Sequence, residues 1–102
     1  MNIQISKEAA AWYKEELGLA NGDYLRFFAR YGGCSNVQSG FSLGVSSEDP
    51  INLAVKKEAE GIIFYIEEKD EWYFDEHDLV IELPADSDEP VIEYKKQSTP
   101  EM

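Results

Sequence analysis

Apolar and polar residues alternate along this chain with two different periods. The first is helical. Ser6 reads as an N-cap with Glu8 in the first turn, and Gly18 as a stop. Between them Ala9, Tyr13 and Leu17 share a face with Ala10 beside them, while Trp12 falls elsewhere on the wheel. The second period is two. After the turn Asn21-Gly22-Asp23, a strand over Tyr24–Tyr31 puts Leu25, Phe27, Ala29 and Tyr31 on one face and Tyr24, Arg26, Phe28 and Arg30 on the other. Gly32-Gly33 is expected to break it just before Cys34. Alternation resumes with Val37, Ser39, Phe41, Leu43 and Val45, so the two runs predict a hairpin with Cys34 in or beside its connection. Gly40 and Gly44 inside the second strand predict a bulge or a close approach by a neighbour.

The remainder is mostly strand. Leu53–Glu60 fits either a helix or a charged edge strand, and Gly61 resets the chain before a buried strand at Ile62–Ile66. The acidic stretch Glu67–Asp78 carries Trp72, Tyr73 and Phe74 and predicts a short helix near residues 68–75. Leu79–Leu83 and Val91–Tyr94 are short strands around a Pro84–Pro90 turn. Lys95–Met102 is expected to be a flexible tail, which leaves one domain over residues 1–94. The fold class is mainly β, α+β by content.

Composition narrows the function classes. The 102 residues are 43% hydrophobic and 13% aromatic, enough for one modest core. Net charge is -12, and all of it comes from residues 46–102, since residues 1–45 are balanced. Phosphate backbones and anionic lipids need basic surface, so neither nucleic acid nor a membrane is an expected partner. The acidic half reads as a solvated face or as a docking surface for a basic partner. A single cysteine, no signal-like N-terminus and no long apolar run point to a cytoplasmic protein.

That cysteine lies in the one long stretch without Asp or Glu, Tyr24–Ser47. Arg26 and Arg30 precede it and would favour its thiolate if they lie near the loop. Three readings of Cys34 stand: a small residue in a tight turn, a metal or cluster ligand, or a redox or acceptor thiol. His77, the sole histidine, is a weak secondary ligand candidate, because its acidic sequence neighbours would point in different directions. No nucleophile elbow, phosphate loop or zinc triad is present, so no enzyme activity is expected.

Gly32-Gly33-Cys34-Ser35, followed by Gln38, Gly40 and Phe41, resembles the first cysteine motif of the HesB/IscA-like family of A-type iron–sulfur carriers. Ile3–Ser6 leading into a helix, and Gly61–Ile66 followed by Tyr73-Phe74-Asp75, extend the resemblance over residues 3–94. It implies a fold of small mixed β-sheets with flanking helices, with Gly32, Gly33, Ser35 and Gly40 supporting the thiol. Cluster-carrying members add a Cys-Gly-Cys pair near the C-terminus, which this chain lacks. Asn36 and Ser39 also stand where the family has glycine and an aromatic residue. The resemblance is to the short subgroup without that pair. It implies an accessory role in iron–sulfur cluster or iron handling, with Cys34 offering one thiolate at a subunit or partner interface. No cofactor would be firmly bound; a transient iron or two-iron, two-sulfide cluster is what Cys34 would share. Expected partners are proteins, basic ones or iron–sulfur assembly components, with the chain itself a monomer or homodimer. The competing reading is an acidic interaction module that has lost metal binding.

Overall fold

Two small mixed sheets and one three-turn helix enclose an aromatic core. The computed structural model describes residues 1–34 and 39–96; for residues 33, 34 and 39–41 it describes the backbone alone. β1 (Ile3–Ile5) runs into α1 (Lys7–Glu16), where Ser6 Oγ accepts the Ala9 N–H at 3.1 Å as the sequence predicts. The strands that follow are β2 (Tyr24–Cys34), β3 (Ser39–Ser46), β4 (Leu53–Ala59) and β5 (Ile62–Glu67). A 3-10 turn at Glu68–Asp70 leads to α2 (Glu71–Phe74), then β6 (His77–Glu82) and β7 (Val91–Lys96).

One sheet has the order β1-β6-β7 and the other β3-β2-β5-β4. Each holds one parallel pair: β1 with β6, joined by antiparallel β7 on one side only, and β2 with β5, flanked by antiparallel β3 and β4. The ambiguous segment 53–60 is a strand because Glu60 and Gly61, at φ 52° and 81°, close a tight hairpin onto β5. The expected tail begins later than the sequence suggests. Lys95 and Lys96 pair with Asp78 and His77 in β7, and residues 97–102 lie outside the described part.

Leu25 and Phe27 of β2, Phe64 and Ile66 of β5, and Leu79 and Ile81 of β6 are fully buried. Each contributes about 1.5–3 kcal/mol through the apolar surface it removes from water. Phe27 and Phe64 stack at 5.9 Å, and Tyr13 of α1 stands edge-on to both. Ala9 and Ala10, fully buried, let α1 approach closely enough for that contact. Burial pushes the Tyr13 hydroxyl up to about 12.

Alternation along β2 fails at one informative place. Tyr31 shares the phase of Leu25 and Phe27, yet it is 88% exposed. The pairing register explains this. β5 accompanies β2 only as far as Phe27, opposite Ile66, whereas β3 pairs with it out to Cys34. Beyond Phe27 the β2–β3 hairpin therefore leaves the four-stranded sheet as a two-stranded ribbon. Gly32-Gly33 does not end β2 as expected. The strand runs on to Cys34, with Gly32 at φ 106° and a register irregularity between Tyr31 and Cys34. Gly44 makes the close approach its position predicts: a Cβ there would lie 2.6 Å from the Phe28 ring across the pair.

Candidate functional site

Cys34 is the last paired residue of β2, opposite Ser39, at the far end of the ribbon. Gly32, Gly33 and Gly40 belong to the strands beside it, and the predicted supporting residue Ser35 lies outside the described residues. Alternating strand propensity carries the hairpin, and a positive-φ glycine near its end lets the backbone turn where a side chain would be strained.

Arg26 is not the thiol's neighbour, which corrects the sequence expectation. It sits eight positions earlier on β2, roughly 25 Å away at the usual strand rise. Its guanidinium is held by Asp70 at 2.6 Å and Glu48 at 3.2 Å and packs 5.2 Å from the Phe28 ring centre. Burial opposes the charge on Arg26, but the hydrogen bond and charge of Asp70, joined by Glu48, hold its pKa above the ordinary value. Glu48 is held below the usual carboxylate range by the Ser46 hydroxyl and by Arg26, against the opposing effect of burial. Arg26 is thus a structural residue. Arg30, exposed and opposite Ser42, is the predicted thiolate-stabilising arginine that does lie on the ribbon.

His77 starts β6, in the other sheet from Cys34. Its Nδ1 lies 3.0 Å from the Phe74 carbonyl and 2.8 Å from that of Asp75, so this nitrogen carries a proton and donates to the end of α2. Those bonds brace the left-handed residues Asp75 and Glu76. The structure does not bring Cys34 and His77 to one sheet. Among the described residues no group of three or more His, Cys, Asp or Glu side chains is arranged to hold a metal ion.

Two carboxylates that organise this region carry no recognisable motif. Asp70 was hidden in an acidic run, and only the need of a largely buried Arg26 for a counter-charge signals it. Glu67 closes an apolar strand, is buried, and accepts the N–H groups of Ile51 and Asn52 at 2.8 Å each. Burial raises its pKa, but the two backbone donors and nearby cations outweigh this and hold it low.

The donor set does not satisfy a cluster by itself. Iron–sulfur clusters are usually held by four ligands, mostly thiolates, and this chain has one cysteine. No helix among the described residues is long and apolar enough to cross a membrane.

Comparison with known proteins adds a family. A family model described as iron-sulphur cluster biosynthesis matches residues 1–87. The chain is 59% identical over 95 residues to a Bacillus subtilis (strain 168) protein named pyruvate dehydrogenase inhibitor, covering 93% of this chain and 100% of the relative. An uncharacterized protein from Staphylococcus saprophyticus is 39% identical over 92 residues, covering 87% of this chain and 94% of its own length. One from Staphylococcus haemolyticus is 31% identical over 99 residues, covering 94% and 98%. No solved structure gives a significant match. With the two-sheet fold in place and Cys34 at the end of β2, the chain belongs to the iron–sulphur cluster biosynthesis (HesB/IscA) family.

Proposed function

We propose that this chain is a non-enzymatic protein that binds and inhibits the pyruvate dehydrogenase complex, using the HesB-like fold as a docking scaffold. The observation that carries this reading is the 59% identity to the pyruvate dehydrogenase inhibitor across that protein's whole length. The donor chemistry supports it, because one thiolate per chain is a poor resident cluster site, while an acidic surface is well suited to docking. The test is to titrate the purified chain into the pyruvate dehydrogenase complex of Bacillus subtilis and follow pyruvate-dependent NADH formation. Saturable inhibition is expected, and undiminished turnover in large excess of the chain would refute the reading.

A second reading keeps iron in the picture, favoured by the family match and by Cys34 at a hairpin end. Two chains facing each other would supply two thiolates, with the remaining ligands drawn from a partner or an added thiol. Anaerobic reconstitution with ferrous iron and sulfide, run beside Cys34→Ser, separates the two readings. Iron-dependent colour confined to the wild type supports a ligand role for Cys34. Colourless protein in both samples leaves docking alone.

A further inference from the structure

A groove of about 380 Å³ opens between the C-terminal half of α1, β3 and the start of β7. Its walls are Trp12, Leu17, Leu43, Val45 and Pro90. Leu17 is 44% and Val45 39% exposed, so apolar surface there faces solvent. Trp12 Nε1 donates to the Asp88 carbonyl at 2.9 Å and ties α1 to the turn between β6 and β7 along one wall of the groove. Glu16 and Glu89 also line it, and among the described residues no Lys or Arg does. Asp86 and Asp88, both exposed, belong to the same turn.

An apolar trough with an anionic rim selects one kind of occupant. A hydrophobic anchor fills the trough, and flanking cations meet Glu16 and Glu89. We infer that this groove receives an amphipathic, basic helical segment of a partner protein, with one or two apolar side chains seated between Trp12, Leu17 and Val45. The inference rests on the docking reading and assigns that reading its surface. Helix-in-groove recognition uses the same division of labour, apolar contact for affinity and charge for orientation and rate. Apart from Glu16 and Glu89 the polar side-chain groups at the groove are the Tyr13 hydroxyl and the Trp12 indole N–H, the latter already bonded, so the trough offers a small polar ligand few converging donors.

The test uses the full chain, labelled with nitrogen-15, and a synthetic leucine–lysine amphipathic peptide of about fourteen residues, roughly four helical turns. Shift changes should concentrate at Leu17, Leu43, Val45 and the Trp12 indole. Glu16→Lys with Glu89→Lys should weaken binding at least about tenfold. Glu58→Lys with Glu68→Lys makes the same change of net charge on exposed residues at and beside β4, the far edge of the second sheet, and should alter affinity less than about twofold. Equal weakening by both pairs, shifts spread over the acidic half, shifts that grow with protein concentration alone, or no binding would each overturn the assignment. The same variants assayed on the pyruvate dehydrogenase complex should show inhibition lost in the groove pair and kept in the control pair. Failure of the wild type to inhibit at all would refute the functional reading while the titration still decides the groove.

Discussion

Asp70 holds the place where β2 and β5 part, and its removal should be among the most damaging single substitutions on this fold. β5 stops pairing with β2 after Phe27, and Asp70 lies just beyond the end of β5. One of its oxygens lies 2.6 Å from Arg26 Nη2, and the other accepts the Ala29 N–H at 3.4 Å. Side-chain exposure is 12% for Arg26 and 9% for Asp70, so neither charge is well hydrated. Breaking a buried pair by removing one member costs about 3–5 kcal/mol. Glu48 stays within 3.2 Å of Arg26 and is 43% exposed, which offsets part of that loss. Asp70→Asn should therefore cost about 2–3 kcal/mol, a fall in Tm of roughly 10–20 °C for a domain of this size. Arg26→Met should cost a similar amount or less, because it also removes the buried Nε, which has no partner. Urea unfolding of wild type, both single variants and the double variant measures the coupling between them. A coupling energy of at least about 1 kcal/mol is expected. A value within about 0.5 kcal/mol of zero would show that solvent screens the pair and would refute the reasoning.

Three further outcomes can be checked on the same samples. Gly44→Ala places a methyl group against the Phe28 ring and should destabilise by about 1–3 kcal/mol, read as a lower urea midpoint at constant slope. Ser6→Ala removes the cap on α1 and should cost about 1 kcal/mol, whereas Ser6→Asp should restore most of it. Glu67 has a folded pKa below its unfolded value, so its contribution is present above the unfolded value and is lost as pH falls through the folded one. Glu67→Gln should accordingly lower the urea midpoint at neutral pH and narrow the gap between neutral and acid midpoints; an unchanged gap would count against the paired-carboxylate account.

Local periodicity was sufficient for most of the elements, because helix and strand periods and turn residues act within a few positions of one another. Ser6, Ala9, Ala10 and Tyr13 define α1 from its cap to its buried stripe without help from the rest of the chain. The Gly-Gly-Cys-Ser run with Gln38, Gly40 and Phe41, framed by Ile3–Ser6 and Gly61–Ile66, was likewise enough to point to the family, because short motifs in fixed order survive as a string. The acidic turn with Trp72, Tyr73 and Phe74 became the short helix it suggested.

What the string could not contain was which strand lies beside which. Tyr31 has the phase of a core residue and is exposed because β5 ends its pairing at Phe27, a fact of sheet register between segments far apart in sequence. Arg26 lies as near to Cys34 in sequence as one would wish for a thiolate partner, yet an extended strand carries it away and Asp70, 44 positions on, claims it. The groove is assembled the same way, from α1, β3 and the start of β7. Its apolar residues read singly as imperfect core, and Trp12 as a stray aromatic on the wheel. Side-chain chemistry and short-range period are local and legible in the sequence. Counter-charges, pockets and exposure depend on contacts between distant segments, and those only the tertiary structure decided.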